Sequence, residues 1–182
     1  MRIAIFAAGA ALLLAGCQQT PPARRPGLWF QSFAQDGSTR NLGPSRSLRV
    51  CIGAHTDAKN AIFNYDLAVK LAKERRCETP TAGRTLNGFY KFKSDCPLPN
   101  STGRSLLLGT ASGDFSSGYH LRMQTDTTYS PPFTALNGHH VIDIDGKWLG
   151  PCPAGMAPGD MVLANGEKAP GGVVMDPHHP PS

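Results

Sequence analysis

Hydrophobic and polar residues alternate along several segments of the chain, which is the pattern of a β-strand with one buried face. The longest such segment covers residues 115–126, and residues 138–149 repeat the pattern. Shorter alternating or apolar runs occupy residues 28–33, 47–52, 90–93 and 106–108. Because each segment has one wettable side, we predict a curved antiparallel sheet of about six strands that is covered on one face only.

The cover of this sheet is predicted to be helical. Residues 56–76 contain neither Gly nor Pro, Thr56 or Asp57 can cap the start, and basic residues gather at the end, where the helix dipole favours them. Apolar side chains lie on two sides of the segment, so either the helix is buried on two faces or it breaks near Asn64. We favour the break. The predicted fold class is therefore α+β, with a helical insertion after the second strand.

The N-terminus has the features of an export signal. Arg2 precedes an apolar segment at residues 3–14, which is too short to span a bilayer. The sequence Leu-Ala-Gly-Cys at residues 14–17 resembles the bacterial lipobox. This resemblance implies a signal peptide at residues 1–16 and a mature protein that begins at a diacylglycerol-modified Cys17, so the membrane is a predicted partner. The alternative is an ordinary secretory leader with an incidental cysteine.

The residue after the lipobox predicts the destination. Gln18 occupies the position where, in the sorting pattern of Gram-negative lipoproteins, an aspartate retains the protein in the inner membrane. We therefore expect a lipid-anchored protein that faces the periplasm and favours the outer over the inner membrane.

Four cysteines remain beyond the lipobox, an even number that predicts two disulfides in an oxidising compartment. Asn87-Gly88 is a strong turn signal almost midway between Cys77 and Cys96, so these two cysteines can face each other across a hairpin. We pair Cys77 with Cys96, and hence Cys51 with Cys152. A zinc site is disfavoured because the chain has no C-x-x-C pair.

The distribution of charge bears on the choice of partner. The formal net charge is +5, but the basic residues are scattered, so no nucleic-acid partner is predicted.

Composition indicates the domain limits. Residues 18–26 and the C-terminal segment are polar and rich in proline. We expect a lipidated tether at residues 17–26, a single domain at 27–168 and a disordered tail at 169–182.

Four parts of the sequence together resemble the bacterial domain of unknown function family 3617. They are RPGLW at residues 25–29, VCIGAHTDAK at 50–59, the hairpin between Cys77 and Cys96, and KWLGPCPAGMAPGDMVLANGEK at 147–168. The resemblance implies a small secreted or lipid-anchored protein of the Gram-negative envelope. It implies no activity and no catalytic residues.

Catalytic motifs are absent from the sequence, which contains no G-x-S-x-G, S-x-x-K or H-E-x-x-H. A cluster of His120, His139 and Asp143 is conceivable if two strands pair in a suitable register, and a His/Asp enzyme is accordingly the least favoured function. We expect a protein without catalysis, cofactor or metal.

Two non-catalytic functions remain. The first is a binding or assembly module that holds an envelope protein with the exposed sheet face or with the loop at residues 127–138. The alternative is a carrier of a lipid or other apolar ligand on the concave sheet face. The candidate ligand face consists of Tyr119, Leu121, Met123, Ile142, Ile144 and Trp148.

Overall fold

The computed structural model describes residues 20–36, 46–99 and 101–163. The predicted signal peptide at residues 1–16, the lipidation site Cys17 and the predicted tail at 169–182 lie outside the described residues. The strands are β1 Gly27–Asp36, β2 Arg46–Ile52, β3 Thr81–Arg84, β4 Tyr90–Pro97, β5 Arg104–Gly113, β6 Gly118–Thr128, β7 Gly138–Gly150 and β8 Met161–Leu163. The helices are α1 Tyr65–Glu74 and two 3-10 helices, Asp57–Lys59 and Phe133–Leu136.

The strands form one open antiparallel sheet in the order β3-β4-β5-β6-β7-β1-β2-β8. An α+β fold with an antiparallel sheet and a helical insertion after β2 is confirmed. The six predicted strands correspond to β1, β2, β4, β5, β6 and β7, and the described part of the chain contains two more. Both additional strands, β3 and β8, are short strands at the sheet edges.

The sheet has two chemically different faces. The inner face carries the core, because the register places Trp29 opposite Val50 and Leu121 opposite Ile144, and all four side chains are buried. The outer face carries mainly polar and charged side chains, among them the exposed Lys91. The predicted one-sided burial is therefore present among the described residues.

The insertion between β2 and β3 is broken near Asn64, as favoured from the sequence. The side chain of Asn64 accepts a hydrogen bond from the backbone N of Leu67 at 3.2 Å and caps α1. Before this cap, Ile62 and Phe63 pack against the core. The predicted cap at the start of the insertion is wrong, since Thr56 instead accepts from the backbone N of Gly53, and Asp57 binds an arginine.

The turn between β5 and β6 corrects the predicted start of a strand. Residues 115–117 belong to this turn and not to β6, which begins at Gly118. The Asp114 carboxylate accepts hydrogen bonds from the Ser117 hydroxyl and from the backbone N of Ser117, Ser116 and Gly118, which together lower the pKa of Asp114 well below its usual range. The turn holds Phe115 at a φ of 57° with its ring in the core.

Arg24 is a core residue and not part of an unpacked tether. The residue is 8 % exposed, and its guanidinium lies 2.6 Å from the carboxylate of Asp57, which is 3 % exposed. The backbone N of Arg24 also donates to this carboxylate at 2.6 Å. The packed domain therefore begins before Gly27, because Arg24 can satisfy its charge only against the insertion.

Aromatic side chains surround the ion pair. The guanidinium of Arg24 lies 4.8 Å from the ring centroid of Phe63 and donates to the Tyr119 hydroxyl at 3.1 Å. Burial alone would lower the pKa of Arg24, but hydrogen bonds and charge from Asp57 and Tyr119 outweigh it and hold the pKa above its ordinary value. Arg24 is therefore a permanent cation inside the core.

Tyr119 connects this cation to the sheet. Its hydroxyl also accepts a hydrogen bond from Gln31 of β1, and burial raises the pKa of the phenol, so it stays neutral. Its ring covers Gly146, the residue opposite it on β7, and any side chain at Gly146 would overlap the ring. Four parts of the chain thus meet at one phenol.

Two disulfides form between the predicted partners. Cys51 is joined to Cys152, and Cys77 to Cys96. The first bond ties the end of β2 to the segment after β7, and the second ties Cys77, three positions after the end of α1, to β4. Among the residues that the structure describes, no helix has the length and apolar character to cross a membrane.

We predict that Arg24→Met destabilises the protein by about 3–5 kcal/mol, because it leaves the buried Asp57 carboxylate without its cation. The measurement is the free energy of unfolding from urea denaturation.

The matched control is Arg24→Met combined with Asp57→Leu, which removes both charges. We expect this pair to recover most of the loss, since replacing a whole buried ion pair by apolar groups is often neutral. Equal stability of wild type and Arg24→Met would contradict the assigned role of the ion pair.

Candidate functional site

The predicted apolar ligand face is part of the core. Tyr119, Leu121, Met123 and Ile144 are buried within the protein, and Ile142 and Trp148 pack against the same cluster. The four buried side chains are already covered by protein atoms. They can contact a ligand only if the core opens.

Trp148 lies at the edge of this core and contacts the N-terminal segment. The guanidinium of Arg25 lies 3.8 Å from the ring centroid of Trp148, and the indole N donates to the carbonyl of Pro26 at 3.2 Å. Trp148 therefore holds the N-terminal segment against the sheet.

The conceivable His120, His139 and Asp143 cluster does not form. The register of β6 and β7 places His120 opposite Asp145 and His139 opposite Asp126. Residues 120 and 126 are six positions apart on one strand, or roughly 20 Å, so the two histidines cannot share a ligand. The described residues contain no group of three or more His, Cys, Asp or Glu side chains that could hold a metal.

Each histidine pairs instead with carboxylates on the outer face. His120 lies 2.9 Å from Asp145 through Nδ1 and 3.5 Å from Asp143 through Nε2. His139 lies 2.5 Å from Asp126. The hydrogen bond from His139 is the main cause that lowers the pKa of Asp126 below its ordinary value. These are exposed cross-strand pairs, which stabilise a sheet without requiring a reaction.

The loop between β6 and β7 presents apolar side chains to solvent. Phe133 is 57 % exposed and Leu136 is 60 % exposed, within the 3-10 helix Phe133–Leu136. The loop is braced, because the Asn137 side chain accepts from the backbone N of Tyr129 at 2.7 Å. The loop therefore holds two large apolar side chains in solvent on a braced backbone.

A groove adjoins this loop. It has a volume of about 1040 Å³ and lies between the end of α1 and the β4–β5 connection. Its lining includes Arg75 and Arg76 from the end of α1, Pro97 and Leu98 after β4, and Phe133 from the loop. The loop and the groove therefore form one continuous surface with apolar and basic groups and with one acidic group, Glu74.

A second concave region on the outer face was not identified from the sequence as a site. It is a trough of about 610 Å³ over β3, β4, β5 and β6. Lys91, Lys93 and Arg122 line it, together with Thr110 and Gln124. In the sequence, the alternation of Lys91 and Lys93 with Tyr90 and Phe92 indicates that the two lysines share a strand face. The position of Arg122 beside them follows only from the strand order.

We predict that His139→Leu raises the pKa of Asp126 toward its ordinary value, because the hydrogen bond that favours the carboxylate is lost. NMR titration of the side-chain carboxyl measures this shift. Since the folded pKa lies below the ordinary one, the stabilisation is present above the ordinary carboxyl pKa and lost as pH falls through the folded value.

His120→Leu is the matched control, because His120 pairs with Asp143 and Asp145 and not with Asp126. It should leave the titration of Asp126 unchanged. A shift of the same size in both variants would contradict the pairwise assignment.

Comparison with known protein families identifies a match. A family model described as "Protein of unknown function (DUF3617)" covers residues 24–152. Comparison with curated proteins and with solved structures finds no match. The family match begins at the buried Arg24 and ends at Cys152, so it contains both the central ion pair and the two disulfides. The chain belongs to the DUF3617 family, as its sequence resemblance predicts.

Proposed function

We propose that this protein is a lipid-anchored component of the bacterial cell envelope and acts as a non-catalytic binding or assembly module. The observation that carries the proposal is the pair of disulfides within the folded core, where Cys51 and Cys96 are buried. Disulfides of this kind form and persist in oxidising compartments such as the periplasm.

The disulfides are a large part of the expected stability. In the chain-entropy treatment, closing segments with sequence separations of 19 and 101 residues contributes roughly 3 and roughly 5 kcal/mol. Whole domains are stable by only about 5–15 kcal/mol. Such a fold is suited to an exported protein, and this agrees with the leader and the lipobox-like residues before Cys17.

The anchor and the packed domain are close in sequence. Cys17 precedes Arg24 by seven positions, so the two Cα atoms are at most about 25 Å apart even in an extended chain. A lipid on Cys17 would therefore keep the Arg24 end of the sheet near the membrane surface. The proposed partner of the module is an envelope protein.

The proposed contact surface is the β6–β7 loop with its adjoining groove. Phe133 and Leu136 offer apolar area, and Arg75 and Arg76 also line the groove. An apolar centre with a polar rim is the usual composition of a protein interface. The outer membrane remains the proposed location, based on Gln18.

We predict that protein purified from membranes begins at Cys17 and carries diacylglycerol on its thiol. Mass spectrometry of the N-terminal peptide measures this modification. Cys17→Ser should remain unlipidated, and Gln18→Asp should move the protein from the outer to the inner membrane on fractionation. A Cys17 thiol without diacylglycerol in the wild type would refute the anchor.

We predict that a photo-crosslinking amino acid at position 133 captures a specific envelope protein in living cells. The control places the same group at position 86, because Leu86 is a fully exposed apolar residue in the distant β3–β4 turn. Mass spectrometry identifies the captured protein. Capture of the same proteins from both positions, or from neither, would contradict the assignment of the loop.

Phe133→Ser combined with Leu136→Ser tests the same surface without a crosslinker at its centre. Because both side chains are exposed, we expect the stability to change by no more than about 0.5 kcal/mol. The captured complex, probed from a neighbouring loop position, should be lost.

A further inference from the structure

The outer-face trough gathers positive charge in two rows that the register defines. In the first row Lys91 lies opposite Thr110, which lies opposite Arg122. In the second row Lys93 lies opposite Leu108, which lies opposite Gln124. Neighbouring strands are about 4.8 Å apart, so Lys91 and Arg122 flank a space roughly 10 Å wide at the backbone.

The two lysines are not neutralised by the surrounding acids. Asp143 binds Arg122 at 3.0 Å, Asp95 binds Arg104 at 2.9 Å, and Asp126 binds His139. Within residues 20–36, 46–99 and 101–163, no ion pair involves Lys91 or Lys93. The trough lining contains no carboxylate. The trough is therefore a positive surface beside acids that are already paired.

Protection of a sheet edge does not explain these lysines. Exposed lysines often stand on edge strands, where they discourage pairing with another chain. Here β3 covers this part of β4, since Gly83 pairs with Lys91 and Thr81 with Lys93. Lys91 and Lys93 are on an interior strand.

The trough is open at β3. Gly83 ends the row that contains Lys91, and a Cβ built at this glycine would meet no atom within 4 Å. The space next to the lysines is therefore accessible from the side. At its centre, the exposed Leu108 can contact an organic group beside the cations.

We propose that this trough binds the phosphate group of a phosphorylated ligand. Lysine ammonium groups bind phosphate as point charges, and the Thr110 hydroxyl can donate to its remaining oxygens. The Gln124 amide donates one N–H to Asp126 at 3.1 Å, and its second N–H can donate to the phosphate. Leu108 contacts the organic part of the ligand. The phosphate has two possible sources, a lipid headgroup or a soluble phosphate. The proposal does not depend on lipidation of Cys17 or on the β6–β7 loop.

The test titrates the full-length protein in neutral detergent with two probes, inorganic phosphate and dihexanoyl phosphatidic acid, and follows binding by calorimetry. We expect saturable binding in the wild type that weakens as salt is added. Tighter binding of the phosphatidic acid identifies a lipid headgroup as the source, and equal binding identifies soluble phosphate. Both results support the site.

Lys91→Gln combined with Lys93→Gln should weaken phosphate binding at least about tenfold, which corresponds to 1.4 kcal/mol. The control with the same charge change is Lys59→Gln combined with Lys70→Gln, two exposed lysines outside the sheet, and it should bind as the wild type does. Both pairs are exposed, so neither should affect folding, which circular dichroism checks.

Gly83→Glu provides an independent variant, because it adds a carboxylate to open space at the trough without a steric overlap. It should also weaken binding, whereas Gly83→Ala should not. No saturable phosphate binding in the wild type would overturn the proposal. So would an equal loss of affinity in the trough variant and in the Lys59 and Lys70 control.

Discussion

The buried ion pair between Arg24 and Asp57 is the constraint on which the rest of the fold depends. Two charges removed from water are tolerated only when each is paired and its remaining hydrogen-bonding groups are satisfied. Here the carboxylate accepts from both the backbone and the side chain of Arg24, and the guanidinium also donates to Tyr119. These bonds require the N-terminal segment, the helical insertion and β6 to occupy their places together. The pair therefore specifies how the N-terminal segment and the helical insertion cover one face of the sheet at β6.

The two disulfides add to the stability of a core that is built on one face of a single sheet. The described strands form a single sheet, and their buried apolar side chains lie mainly on the inner face. A fold of this kind buries less apolar area than a two-layered sandwich. The disulfides, which restrict the unfolded chain, therefore contribute a larger share of the stability. Cys51–Cys152 and Cys77–Cys96 act at opposite ends of the helical insertion, since Cys51 precedes it and Cys77 follows it. The insertion is therefore fixed at both ends, with Asp57 held between them.

The elements that the sequence predicts best are those whose side chains alternate over many residues. β6 and β7 contain long alternating runs. Asn87-Gly88 indicates the hairpin that brings Cys77 near Cys96. β3 and β8 are too short to show a period, at four and three residues. Phe115 continues the alternation of β6 but belongs to the turn, because the bonds to Asp114 favour a turn over a strand. The polar segment before Gly27 contains a core residue because Arg24 has a partner 33 positions away, which no local pattern reveals.

The candidate sites depend on register, which side-chain periodicity does not determine. The length of the β6–β7 loop makes Thr127 pair with Gly138, and every outer-face contact between the two strands follows from that pairing. Asp126 consequently meets His139, and Arg122 meets Asp143, so the acids of β6 and β7 are used within this pair of strands. The lysines of β4 lie two strands from β6, where no unpaired carboxylate reaches them. The net charge of +5 gives only the excess of basic over acidic side chains. The strand order determines that part of this excess is concentrated in one concave surface.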